Sequence, residues 1–188
     1  MKFATTLKKV ITAATKYILL SMIATYFFGF TTTLSATETN KGASEKERPV
    51  ILTQFEGQIR VVYQISRDEW RDGVGKGLLY LDKLYDQYIK EGIDPERLEI
   101  HAVFHGTAAE HLLTDEAWNR YKDAKEGNPN TELLTRLKKK HINVELCNTR
   151  RLANGWEAAE INQTVDLVNG AFQRVIDLQL MGFAYVRF

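Results

Sequence analysis

The chain has 188 residues, 44% of them hydrophobic and 26% charged, with a formal net charge of +1 at pH 7. This is the composition of a soluble globular protein with one core, and it leaves no electrostatic basis for nucleic-acid binding. A single cysteine, Cys147, excludes an intramolecular disulfide.

Lys2, Lys8, Lys9 and Lys16 precede a mostly apolar run from Tyr17 to Phe30, and Thr31 to Ala36 supply small residues. That is the pattern of a secretory signal cleaved after Ala36. The run is shorter than the roughly 20 residues a spanning helix needs, so residues 1–36 read as a signal peptide, with an uncleaved membrane anchor as the alternative. Either way the domain is expected outside the cytoplasm, in the periplasm or another extracytoplasmic space. Removing residues 1–36 lowers Lys+Arg from 25 to 21 against 24 Asp+Glu, a formal charge of −3. Residues 37–49 are polar and aperiodic, as in a flexible tether, and residues 50–188 form the domain.

Within the domain, Ile59–Ile65 is rich in β-branched residues and predicts a central strand. Leu78, Leu81, Leu84 or Tyr85, and Tyr88 recur at helical spacing over residues 75–91, with Gly92 as the stop. Leu98–Phe104 predicts a second strand. Ala108 to Lys125 predicts a helix, and so does Thr131 to Lys140 after the break at Gly127-Asn128-Pro129-Asn130. Ile142–Leu146 predicts a third strand leading into Cys147, then a helical turn and loop over residues 150–156. Thr164–Val168 and Phe183–Arg187 predict two further strands flanking a helix over residues 171–181. Strands separated by helices imply βαβ crossovers, hence a three-layer α/β/α sandwich around a mostly parallel five-stranded sheet.

Cys147 falls at the carboxyl end of a strand and just before a helix start, where open α/β sheets bind ligands and where a helix N-terminus favours the thiolate. The competing reading is a small apolar core residue. His105 ends the second strand on the same rim and can serve there as a proton acceptor or as a cation beside the thiol. Arg150 and Arg151 lie one helical turn on and suit an oxyanion or a thiolate, while Asn148 or Thr149 is placed to cap the helix. His101 and His105 stand about 13 Å apart along one strand, too far to share a metal, and no metal or cofactor is expected. Gly73-Val74-Gly75-Lys76-Gly77 resembles a phosphate loop without its full spacing, and no GxSxG elbow is present.

Several pieces of the sequence together resemble the DsrE/DsrF-like family of small sulfur-relay and sulfur-oxidation proteins. They are Phe104-His105-Gly106, the helix from Asn130 to His141 ahead of the third strand, Val144-Glu145-Leu146-Cys147, Ala153-Asn154-Gly155, Val165-Asp166-Leu167-Val168 and the ending from Leu178 to Val186. The resemblance implies homo-oligomers, often trimers or hexamers, and a persulfide carried on the residue matched by Cys147 and exchanged with partner proteins. His105 falls on the histidine of the family's strand-end His-Gly pair. Gly106, Asn148, Arg150 and Arg151 are the flanking candidates for substrate binding. Many relatives carry threonine where this chain has Arg150.

The leading expectation is therefore an exported sulfane-sulfur carrier working through Cys147, with a sulfur-donor or acceptor protein as partner and no nucleic acid. The alternatives are an oligomeric binding or scaffold module with a buried, inert cysteine, and a small-molecule enzyme using residues 73–77 for a phosphorylated ligand. Trp118, Trp156, Phe172 and Phe183 exceed what a small core needs, which also suggests self-association.

Overall fold

Nearly every side chain of Ile59–Ile65 (β1) is buried, apolar toward both faces, as in a strand inside a parallel sheet. The computed structural model describes residues 48–187. The proposed signal and nearly all of the tether fall on residues 1–47 and lie outside the described residues; Arg48 and Pro49 are exposed and irregular.

After β1 comes a hairpin of Trp70–Arg71 (β2) and Val74–Gly75 (β3), then Lys76–Lys90 (α1) and Leu98–Phe104 (β4). A 3-10 segment, Gly106–Leu112, precedes Asp115–Lys122 (α2) and Thr131–Lys139 (α3). Asn143–Cys147 (β5), Asn148–Ala153 (α4), Asp166–Val168 (β6), Ala171–Leu180 (α5) and Ala184–Arg187 (β7) complete the chain. The five-stranded sheet has the order β6-β5-β4-β1-β7 and every pairing in it is parallel.

The connections through α1, and then through α2 and α3, step the chain from β1 to β4 to β5. The connection through α5 carries it back from β6 to the far edge beside β1. Crossovers are right-handed, so steps in opposite directions put their helices on opposite faces. One face accordingly holds the larger core, in which Val61, Tyr63, Ile100, Phe104 and Leu146 meet Leu78, Leu81, Leu134 and Leu137. The other face is covered by α5 alone, which packs Ala171, Val175 and Leu178 on Val62, Val103, Cys147 and Phe183.

Two sequence expectations change. The helix expected over residues 108–125 is split, because Thr114 caps a new start: its Oγ1 accepts from Ala117 N at 3.2 Å, with Asp115 and Glu116 following in the first turn. The glycine-rich segment after β1 is a hairpin rather than a phosphate cradle. Asp72 and Gly73 have φ of 54° and 81°, the Asp-Gly pair of a type I′ turn. Gly75 and Gly77 serve close packing, since a Cβ at either would lie 2.5 Å from His111 Nδ1 or 2.7 Å from Ile65 Cγ2.

Candidate functional site

Phe104 and Leu146 are register partners on the parallel strands β4 and β5. The next residues, His105 and Cys147, therefore end neighbouring strands at the same level and on the face covered by α5. From this rim the two adjacent chains diverge. After β5 the chain enters α4, which packs on the 3-10 segment, and after β6 it enters α5 on the opposite face. A cavity of about 480 Å³ opens between them, lined by His105, Gly106, Cys147, Thr149, Arg150, Ala153, Gly170, Ala171, Phe172 and Gln173. This is the crevice at the carboxyl ends of strands where open α/β sheets take ligands.

Cys147 is only 7% exposed, yet it lines this cavity. It also occupies the N-cap position of α4 without a side-chain capping bond, so neither Asn148 nor Thr149 takes the capping role expected from sequence. Thr149 Oγ1 instead donates to the Asn169 carbonyl at 3.0 Å, tying α4 to the loop ahead of α5. Arg150 Nε donates to the Gly106 carbonyl at 3.0 Å and holds α4 to the end of β4. Arg151 turns away: its Nε donates to Asn148 Oδ1 at 2.7 Å and its Nη1 to the Trp156 carbonyl. The structure thus brings His105, Gly106, Arg150 and Cys147 together and leaves Arg151 and Asn148 paired with each other outside the lining.

Sequence reasoning missed Gln64, Tyr185 and Phe172. Gln64 Nε2 approaches His105 Nε2 at 2.8 Å, and Tyr185 donates its hydroxyl to Gln64 Oε1. An amide nitrogen only donates, so His105 Nε2 is the acceptor and the ring proton sits on Nδ1. Phe172 packs against the other side of the ring, with centroids 5.3 Å apart. Burial, reinforced by the positive charges of Arg187 and Arg150, holds His105 below the usual histidine range. His105 is thus a neutral ring, not the cation considered from sequence. The available signal was Gln64 itself, a polar residue near the end of a largely apolar strand.

Deeper on the same sheet face, Glu145 accepts from His101 Nδ1 at 2.6 Å and from Arg174 Nε and Nη2 at 2.8 and 2.9 Å. Burial opposes the Glu145 charge, but these donors outweigh it and keep the carboxyl below its ordinary range. This cluster is internally satisfied and lies outside the cavity lining. A second groove of about 640 Å³ runs along α5 beside Val168 and Leu180 and contains none of the candidate site residues named from sequence. Among the described residues, no group of three or more His, Cys, Asp or Glu side chains is placed to hold a metal ion. No helix among them is long and apolar enough to cross a membrane.

No family model and no curated protein sequence matches the chain. Among solved structures, it is similar to MTH1491 from Methanobacterium thermoautotrophicum, a protein of unknown function. That similarity has a TM-score of 0.53 at 18% identity and covers 69% of this chain and 99% of that one. The fold is DsrE-like. At this identity the likeness speaks for the fold alone. The ychN protein from E. coli also aligns, with a TM-score of 0.46, 16% identity, and coverage of 69% of this chain and 100% of that one.

Proposed function

We propose that this domain accepts sulfane sulfur on Cys147 and passes it to a second thiol. The observation that carries the reading is the placement of the sole cysteine in an open crevice at the sheet rim, level with His105 and beside Arg150. In the first step the Cys147 thiolate attacks a sulfane sulfur of a polysulfide. The new S–S bond forms as the old one breaks, and the shortened polysulfide leaves with the electron pair. In the second step an acceptor thiolate attacks the outer sulfur of the Cys147 persulfide and Cys147 departs as thiolate. Atoms and electrons balance without an external oxidant or reductant. The positively charged and then apolar opening of the sequence supports export, so the exchange partners of this reading are extracytoplasmic sulfur compounds or thiol proteins, with the domain working as a homo-oligomer.

Incubating the purified protein with polysulfide and measuring its intact mass tests this. A gain of sulfur that disappears in Cys147→Ser is the expected result, and a mass unchanged by polysulfide refutes it. The 7% exposure of Cys147 favours a second reading, a binding module with an inert thiol. Under that reading the folded protein alkylates slowly and the unfolded protein fast. Under sulfur transfer the folded protein already reacts within the time of the polysulfide labelling.

A further inference from the structure

The groups around the Cys147 cavity offer hydrogen-bond donors and positive charge, and none of the lining residues is acidic. Arg150 spends Nε on the Gly106 carbonyl, and its two terminal nitrogens have no partner among the described residues. Arg187, opposite Gln64 in the β1–β7 register, is not itself a lining residue but is near enough for its charge to act on His105, and its guanidinium likewise meets no carboxylate among the described residues. Arg60, Arg136 and Arg174 each engage one, at 2.8, 3.0 and 2.8 Å, whereas Arg97 and Arg151 are bonded to carbonyl and amide oxygens instead. His105 completes the set. In the structure its Nε2 accepts from Gln64 Nε2 while Gln64 Oε1 accepts from Tyr185, an arrangement that leaves Nδ1–H free of any partner among the described residues. A site meant to remove a proton would leave the histidine lone pair available; this one ties it up.

From this arrangement we infer that the cavity selects a sulfur donor whose sulfane sulfur is bonded to an oxidised, anionic sulfur group, and that Gln64 and Tyr185 are positioning residues that keep His105 as a donor to it. The inference rests on the sulfur-transfer reading of Cys147 and names its substrate class. Guanidinium and ring N–H groups pair best with localised oxygen acceptors, which a sulfonate presents and a polysulfide chain does not. Thiosulfate and organic thiosulfonates share this chemistry. The Cys147 thiolate attacks the outer sulfur, the Sγ–S bond forms, the bond to the oxidised sulfur breaks, and sulfite or a sulfinate leaves with the electron pair. No proton is transferred, and no oxidant or reductant is needed. His105 Nδ1–H, Arg150 and Arg187 stabilise the charge that gathers on the departing oxygens. The apolar part of the lining, Ala153, Ala171 and Phe172, has room for an organic substituent in a cavity of about 480 Å³.

The test labels the full chain in single turnovers with thiosulfate, benzenethiosulfonate, polysulfide and uncharged dimethyl trisulfide, following intact mass and released sulfite or sulfinate. Expected is a sulfur adduct on Cys147 with one equivalent of sulfite or sulfinate; preference between the first two donors tells the inorganic source from the organic one. Arg187→Gln should lower the labelling efficiency of the anionic donors, relative to the trisulfide, by roughly tenfold, the worth of one charged hydrogen bond. At an alkaline pH, where the ring is neutral even beside a carboxylate, Gln64→Glu presents an acceptor to Nε2, moves the ring proton there and leaves Nδ1 as a lone pair. It should produce a loss at least as large. ¹⁵N shifts of the His105 ring should report Nδ1–H in the wild type and Nε2–H in Gln64→Glu, a readout that a purely structural role for Gln64 would not move. Labelling by polysulfide but by neither oxidised donor overturns this inference and leaves sulfur transfer standing. So does a wild-type ring protonated at Nε2, or an Arg187→Gln ratio equal to wild type. Labelling by none of the four donors overturns both.

Discussion

At the scale of single residues, the site depends on atoms that the chain cannot enlarge or recharge. Gly106 has φ of +57°, and a Cβ there would lie 2.4 Å from the Ser66 carbonyl oxygen, a backbone atom that cannot swing aside. Its own carbonyl accepts from Arg150, and it follows His105 directly. Gly106→Ala therefore combines left-handed strain with a clash and should cost about 2–4 kcal/mol, read as a lower urea midpoint, while displacing both His105 and Arg150. His111 is a second constrained residue. It is fully buried, Nε2–H donates to Asp68 Oδ1 at 2.6 Å, and Nδ1 is a buried atom with no hydrogen-bond partner. Burial lowers its pKa below the ordinary 6.5, although Asp68 and Glu110 pull the other way. A depressed histidine pKa means that the unfolded chain binds more protons just below pH 6.5, so this contribution makes stability fall as pH drops from about 7 toward 5. His105 is shifted in the same direction and adds the same sign. Urea midpoints measured across that window should fall toward acid, with a shallower fall in His111→Gln. A midpoint that rises on acidification contradicts the assignment of a buried neutral ring.

At the scale of elements, β1 and β4 were legible to the residue, because strands buried on both faces write long β-branched runs. The α1 and α3 helices were legible because each buries one stripe, Leu78 and Leu81 in the first and Leu133, Leu134 and Leu137 in the second. The hairpin at Trp70–Gly75 was not, since four strand residues around an Asp-Gly turn carry too little pattern to outweigh five residues rich in glycine. In the site, Cys147, His105, Gly106 and Arg150 could be nominated because strand ends are visible in sequence. Gln64 stands out only as a polar residue in an apolar strand, and the roles of Gln64 and Tyr185 could not be assigned, because they come from the β4-β1-β7 order, which no local spacing encodes. The aromatic argument for self-association also changes: Trp118, Trp156 and Phe183 are buried, at 9%, 5% and 5% exposure, and only Phe172 faces outward. The element least visible beforehand is the join between β5 and α5 made by Glu145 and Arg174. Glu145 is 3% exposed, so removing Arg174 leaves a buried charge held by His101 alone. Arg174→Ala should destabilise the domain by about 2–4 kcal/mol, and Glu145→Ala by less because Arg174 reaches solvent; equal, small changes in urea unfolding contradict this.

At the scale of the molecule, α5 is apolar on its outer side as well as its inner one. Phe172, Ile176 and Leu180 are 67%, 55% and 84% exposed, and recur every fourth residue along a line of about 12 Å. Met181, directly after Leu180, is 49% exposed and adds to this stripe, giving a patch on the order of a few hundred Å², the size that marks interaction surfaces. The stripe is symmetric about Ile176, so two copies laid antiparallel match Ile176 with Ile176 and Phe172 with the partner's Leu180. This is the self-complementarity a two-fold contact requires, and interdigitated fourth-residue ridges are the commonest way helices pack. A two-fold through α5 suits a dimer or a hexamer, not a lone trimer. Because Phe172 also lines the Cys147 cavity, the same contact would shelter the mouth of the crevice. Ile176→Glu places two carboxylates against each other at the centre of that contact, on a side chain the isolated domain does not bury. Sedimentation at micromolar concentration should then show an even-numbered assembly for the wild type and a smaller species for Ile176→Glu with unchanged urea unfolding per chain, together with faster alkylation of Cys147. A wild-type monomer removes the two-fold, whereas an assembly indifferent to Ile176→Glu moves it to another face and leaves the crevice open in every state.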